Sequence, residues 1–514
     1  MRPTKIKARL LFSKAGFVLK PALFFLGILC KYRCMISKKD FRKINDYLWE
    51  IPKSFRSDMR VPARVYASEE MLEDIFKDRS IPQLINTSTL PGVMGYVLGM
   101  PDMHEGYGAP IGGVGAMRLP DGVISPGFVG YDENCGVRLL KSEYTEKEIK
   151  PYLDKLATEM QRQVPSGLGK GRKIKLSIEQ VERILEGGVP YLVSQGYGEK
   201  EDAENCESNG RMREADASVI SERAKNRGRG QVGTLGSGNH FLEIQRVDEV
   251  FDEKVAEVFG LSKDQVVVMI HTGSRGLGHQ NCTDYLRTVM GAMPKYGIRL
   301  PDRELACVPF NSPEGQRFFR AMCAASNYAW ANRHMISYYI KRAWQSVLGE
   351  KANLRLLYDV AHNIAKIEEH EVGGEKIKVC IHRKGATRAF PPGHPEIPER
   401  YREIGQPVLI PGSMGTASYV LVGTKEGKEA FFSTCHGAGR TMSRKQATRT
   451  VSGYEVVERL KRKGILVKCH SMRGIAEEAP IAYKDIDNVV NVVHNAGLAK
   501  RVVKLVPLAV IKGE

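Results

Sequence analysis

The sequence predicts a single mixed domain of the α+β class, with mixed sheets, glycine-rich loops and surrounding helices. Three observations predict it. Short β-branched or alternating apolar runs recur along the chain, capped helical stretches separate them, and glycine (51 of 514 residues) gathers where the strands should end. A composition of 42% hydrophobic and 26% charged residues is that of a globular protein with ample chain for a core. No repeat, low-complexity stretch or linker interrupts the sequence after residue 35, so residues 35–514 are expected to form one domain.

Residues 1–34 differ from the rest. They hold eight Lys/Arg and no acid, and the uncharged run Pro21–Cys30 is half the length a membrane span needs. They read as a non-catalytic extension, with a targeting segment as the second reading, because Met35 opens an ordinary globular start. Further along, Ser177-x-x-Gln180 is a capping box, and Gly187-Gly188 should end its helix. Gln265–Ile270 (QVVVMI) reads as a buried strand. Ser312-Pro313 should open a long helix, free of Gly and Pro from Gln316 to Leu348 and stopped by Gly349. Its aromatic residues read as core rather than as a nucleic-acid surface. Leu354, Leu356, Tyr358, Val360 and His362 alternate as one strand face ending in a histidine. Ser418–Gly423 and Ala430–Phe432 read as strands too.

The net charge of +18 favours a polyanionic partner such as nucleic acid, and +10 of it lies beyond residue 34. Ten scattered cysteines without a C-x-x-C suit reduced thiols and a cytoplasmic setting.

Chemistry concentrates where strands meet glycine-rich turns. Asp132, Cys135, His240, His271 and His362 offer oxygen, sulfur and nitrogen donors, a set suited to a transition metal rather than Mg²⁺ or Ca²⁺ alone. Softness by itself would select Zn²⁺. Neither a P-loop nor the Lys-x-Asp-Gly nucleophile motif of ATP- and NAD-dependent ligases is present. Pro411–Ser418 reads instead as an anion cradle, with basic residues His382–Arg388 and Arg440–Lys445 on either side of it in sequence.

The segments PDMHEGYGAPIGG, GYDENCGVRLL, GTLGSGNHFLEIQ, HTGSRGLG, DVAHNIAK, HRKGATRAF, PGSMGTASYVL, CHGAGR and EEAPIAYKDIDNVV resemble, in order, the motifs of the RtcB family of RNA-splicing ligases. The resemblance covers residues 35–514. It implies a ligase that joins RNA 2′,3′-cyclic phosphate or 3′-phosphate ends to 5′-hydroxyl ends with GTP and Mn²⁺, in tRNA splicing or RNA repair. By the same resemblance, Asp132, Cys135, His240, His271 and His362 would hold two manganese ions with Cys135 shared, overruling Zn²⁺, and His436 would be the nucleophile that carries GMP.

Guanylate contacts are expected from Asn239, Glu243, Ser413, Ser418, His436, Gly437, Ala438, Gly439, Tyr483 and Lys512. Arg275, Lys384, Arg440 and Arg444 suit phosphate or RNA contacts, and Asp102 would handle the terminal hydroxyl. His104, His279, His382 and His494 read as structural or peripheral. Glu133 stands where the family carries an apolar residue and would add negative charge near the metals. Partners implied are RNA with such ends, GTP and an archease-type activator, with no membrane. The alternative reading is a metal-dependent cyclic phosphodiesterase or nuclease using the same ligands, and a silent RNA-binding subunit is a third.

Overall fold

The computed structural model describes residues 36–513, so the 1–34 extension lies outside the described residues. Lys38–Glu514 group as one unit. Its backbone is an eight-stranded sheet, in the order Arg355–Ala361, Gly136–Thr145, Gln265–Thr272, Phe241–Val250, Ala499–Lys512, Ser418–Gly423 and Pro407–Ile410, with Leu466–Lys468 beside Ala499–Lys512. Only that last pairing is parallel. A seven-stranded sheet runs Arg42–Asn45, Leu48–Ile51, Ala63–Tyr66, Val93–His104, Ile111–Arg118, Glu375–Lys384 and Asn363–Val372. Helices and loops surround both sheets, as the sequence implies.

The local signals behave physically as read. The Ser177 hydroxyl accepts from the Gln180 N–H. The helix it starts breaks at Gly188 (φ 56°, ψ −142°), and a second short turn continues to Ser194. The Ser312 hydroxyl accepts from the Gly315 N–H and opens a 36-residue helix, Pro313–Leu348. Phe318, Phe319, Tyr328, Trp330 and Trp344 are buried on it, whereas Tyr338 and Tyr339 are half-buried. Gln265–Thr272 and Ser418–Gly423 are buried strands. One element differs. Ala430–Phe432 is no strand, because Phe431 and Phe432 sit at φ 51° and 47°, and a strand cannot pass through the left-handed region. The strand starts three residues later than expected, at Ser433–Cys435.

The long helix does more than fill the core. The Asn332 amide nitrogen donates to the Thr234 and Gly273 carbonyls at 3.2 and 3.0 Å. Arg333, fully buried, donates to the Asn134 and Thr272 carbonyls at 2.7 and 2.9 Å. Its guanidinium and that of Arg138 both end on the buried Asp359 carboxylate. Buried charge is tolerated here because each member is paired and hydrogen-bonded.

Candidate active site

Register explains how residues so distant in sequence meet. Ala361 pairs with Gly136 and Gly136 with Thr272, while one residue along His271 pairs with Phe241 and Phe241 with Lys512, so two adjacent rows span five strands at one end of the large sheet. Cys135 precedes Gly136, His240 precedes Phe241, and His362 follows Ala361. All three therefore leave the same sheet end as His271. The short strand Ala386–Arg388 binds the His362 carbonyl through the Ala386 N–H (3.1 Å) and pairs Ala386 with Cys435. That pairing sets His436 beside His362, ring centroids 4.9 Å apart.

The donor atoms converge in two overlapping groups. One is Cys135, His271 and His362; the other is Asp132, Cys135 and His240; in each, one donor atom per residue lies within 4.8 Å of the others. The Cys135 Sγ is 3.3 Å from both His240 Nε2 and His271 Nε2, and His271 Nε2 is 3.2 Å from His362 Nε2. Burial, and next the neighbouring imidazoles, push the His271 and His362 pKa values well down, which leaves neutral rings with free lone pairs. Two neutral imidazole nitrogens aimed at each other and at a thiol compete for the same proton. A cation between them satisfies all three, so the donor set fits a metal. Burial raises the Asp132 pKa, but the His240 hydrogen bond and charge more than offset this and hold it at about 2. Gly236 leaves the space His240 needs, since a Cβ there would lie 1.9 Å from its Nδ1.

Asp102, expected to handle the terminal hydroxyl, lies against His436. Its buried carboxylate receives the His436 and Gly437 N–H groups at 3.0 and 3.3 Å, and it is also in contact with His436 Nδ1. Burial would raise its pKa, yet the charge and hydrogen bonds of His436 bring it below the ordinary value. An ionised Asp102 holds the proton on His436 Nδ1 and leaves Nε2 with its lone pair. Gly439 (φ +73°) permits this approach, because a Cβ there would meet the Asp102 carbonyl oxygen at 2.2 Å.

A cavity of about 410 Å³ opens on this corner. Asn239, Glu243, Ser413, His436, Gly437, Ala438, Gly439, Tyr483, Lys512, Lys384, Arg440 and Arg444 line it with Asp132, Cys135, His271 and His362. Ser418 does not; it is buried, and its hydroxyl accepts from the Gly412 N–H and the Gln245 amide. Burial raises the Glu243 carboxyl to about 7, against the pull of Gln245 and Lys512.

The cations expected to meet RNA are mostly committed internally. Arg275 donates to Thr234 Oγ1 and the Gly167 carbonyl. Lys384 donates to the Tyr107 and Gly127 carbonyls, and burial lowers its pKa to about 8. Arg440 and Arg444 both reach Glu478, and Arg440 also reaches the Tyr483 hydroxyl.

Several participants were not singled out from sequence. Glu478 anchors that cluster from within the EEAPIAY segment. Tyr107 and Tyr131 line the cavity. His104, expected to be peripheral, lines it too and stacks on His436 at 6.4 Å. Its Nδ1 is held by the Asp102 carbonyl at 2.9 Å, and burial lowers its pKa to about 4. His382 is structural, accepting the Ser125 N–H. Glu133 turns away from the cluster toward Asn281 on the helix Arg275–Ala292, bonded at 2.9 Å. Burial raises its pKa well above the ordinary range, with the Asp132 charge adding to the rise, and both carboxyl oxygens accept from the Asn281 amide.

The fold and the site together define an α/β domain that holds a buried thiol–imidazole–carboxylate cluster next to a carboxylate-braced histidine. The family model described as tRNA-splicing ligase RtcB matches residues 83–513. The chain is 53% identical over 476 residues to the tRNA-splicing ligase RtcB of Thermococcus kodakarensis, covering 92% of this chain and 98% of the relative. It is 52% identical to that of Archaeoglobus fulgidus over the same shares, and 51% identical over 434 residues to the RNA-splicing ligase RtcB of Mycobacterium bovis, 84% and 100% of the two chains. The chain belongs to the RtcB family. No helix among the described residues is long and apolar enough to cross a membrane.

Proposed function

We propose that the protein is an RNA ligase that joins a 3′-phosphate or 2′,3′-cyclic phosphate end to a 5′-hydroxyl end, using GTP and Mn²⁺. The observation that carries this reading is His436. Its Nδ1 is held by the buried Asp102 carboxylate, and its ring lies 4.9 Å from that of His362 in the donor cluster. A hydrolase using the same ligands needs no such histidine.

Asp132, Cys135, His240, His271 and His362 would hold the metal, with Cys135 common to two positions, a reading supported by the two overlapping donor groups. Bound ions would neutralise charge on phosphoryl oxygens. His436 Nε2 attacks the GTP α-phosphorus; an N–P bond forms and the P–O bond to pyrophosphate breaks. Asp102 keeps the Nδ1 proton in place and offsets the positive charge that grows on the ring. The GMP then passes to the RNA 3′-phosphate, giving that end a leaving group. The 5′-hydroxyl attacks it, a phosphodiester forms, and GMP departs with the hydroxyl proton lost to solvent. Glu243 and Tyr483 are suited to the guanine edge, and Lys512 and Ser413 to the rest of the nucleotide, supported by their positions around one cavity. A carboxylate facing guanine N1 and N2 selects against adenine, which lacks that donor pair.

The test is incubation with α-³²P-GTP and Mn²⁺ followed by a denaturing gel. An acid-labile, alkali-stable label absent from His436→Ala is the expected result. A metal-replete protein that stays unlabelled but still opens cyclic phosphates would establish the phosphodiesterase alternative instead.

A further inference from the structure

The reaction above leaves one feature of the cavity unused. A line of rings runs from the cavity to the surface. Tyr107 and Tyr131 both line the cavity and are half-buried, and they meet edge to face with centroids 5.2 Å apart. Tyr131 stacks on His279 at 5.1 Å and 27° between planes, and His279 is exposed. Aromatic rings confined to packing are normally covered; these grade from the cavity wall to solvent, and Tyr131 directly precedes Asp132 of the donor cluster. Beside them lies Arg227, exposed on the helix Glu222–Gly228, which donates to the Gln280 side-chain oxygen at 3.0 Å. Offset rings with a cation alongside make the arrangement on which unpaired bases stack while a neighbouring phosphate is neutralised.

We propose that Tyr107, Tyr131 and His279 form a stacking platform for the nucleobase of an RNA end entering the cavity, with Arg227 meeting its backbone. The proposal rests on the ligase reading. Guanine of GTP is not the intended occupant, because Glu243 and Tyr483, the groups suited to its edge, hang from other elements, the strand Phe241–Val250 and the turn after Pro480–Ala482. Stacking reads a π-face rather than an edge, so the platform grips any base and contributes affinity without sequence preference.

The test uses ligation kinetics with oligonucleotides that carry an abasic residue at the 3′-phosphate end or at the 5′-hydroxyl end. Self-guanylylation is measured in parallel on every protein, and ligation rates are normalised to it. For the wild type, loss of the base at one end should raise KM roughly tenfold, and the end that responds identifies the occupant. In His279→Ala and Tyr131→Leu that penalty should shrink to about twofold or less, whereas Tyr131→Phe should keep it. His279 is exposed, so its variant gives the readout even where the leucine variant folds poorly. A wild type indifferent to both abasic ends, or a penalty of equal size in wild type and His279→Ala, would overturn the platform. A wild type that takes up no guanylate label would refute the ligase reading itself, a separate result on the same gel.

Discussion

Replacing Asp359 with Asn should unsettle the metal corner from a residue that does not touch it. Asp359 is fully buried and receives Arg138 Nε at 2.7 Å and the Arg333 guanidinium at 2.8–3.1 Å. An amide of the same shape leaves two buried guanidiniums without a counter-charge. Breaking a buried pair by removing one partner costs about 3–5 kcal/mol. Unfolding entropy of about 2 cal/mol/K per residue amounts to about 1 kcal/mol/K for a chain of this size, so Tm should fall by about 3–5 °C. The loss should also reach the ligands, because Arg333 holds the Asn134 and Thr272 carbonyls, each next to a donor residue, Cys135 and His271. The assays are calorimetric melting without metal and titration of the same preparation with Mn²⁺. The expected outcome is a lower Tm together with metal binding weakened about tenfold, in the range found when residues supporting metal ligands are lost. An Asp359→Asn protein that melts within 1 °C of wild type and binds manganese equally well would refute the idea that this ion triad braces the site.

Further outcomes are expected at other points of the molecule. Asp102→Asn should keep the fold but cut self-guanylylation by roughly 10³–10⁴-fold, since an amide no longer fixes the His436 tautomer; a rate within tenfold of wild type would count against that role. Glu243 is raised to about 7, so the carboxylate fraction grows and KM for GTP should fall as pH rises from 6 to 8, and Glu243→Gln should flatten the profile. The matching stability effect has the opposite sign: a raised carboxyl favours the fold fully below about pH 4.5 and loses that contribution as pH climbs through about 7. Glu243→Gln should therefore gain Tm relative to wild type at pH 8 but not at pH 5. A chain beginning at Met35 should ligate at the full rate, and a loss of activity or solubility on that truncation would assign a role to residues 1–34.

Much of the fold was legible because it is local. Ser177 and Ser312 announce their helices through caps, and QVVVMI reads as a buried strand on its own. The five donor residues were legible as metal-capable side chains at glycine-rich strand ends, and the family motifs carried the remainder. Other features depend on contacts that no local pattern encodes. Asp102 meets His436 across 334 positions of sequence, so from sequence it reads as a group for the terminal hydroxyl and not as a brace for the histidine. Lys384 and Arg275 read as phosphate-binding cations, and the fold also ties Lys384 to two backbone carbonyls and Arg275 to Thr234 Oγ1 and the Gly167 carbonyl. Phe431 and Phe432 have strand-type side chains, yet the turn after Ala430 forces both into the left-handed region. Glu133 reads as added charge beside the donors, and its bond to Asn281, 148 positions away, is a contact that no local pattern encodes.

The paired rows at the sheet end have a consequence for how the protein comes into being. The strand Ala499–Lys512 is the last of the described strands in chain order, yet it lies inside the large sheet, between Phe241–Val250 and Ser418–Gly423. Until it inserts, Phe241 has no partner on that side, and the wall that Lys512 contributes does not exist. Closure of the cavity wall therefore waits on this strand, whereas the donor residues Asp132 to His362 all lie on earlier elements. A ribosome-bound or prematurely ended chain would hold the thiol and the imidazoles without the closed cavity.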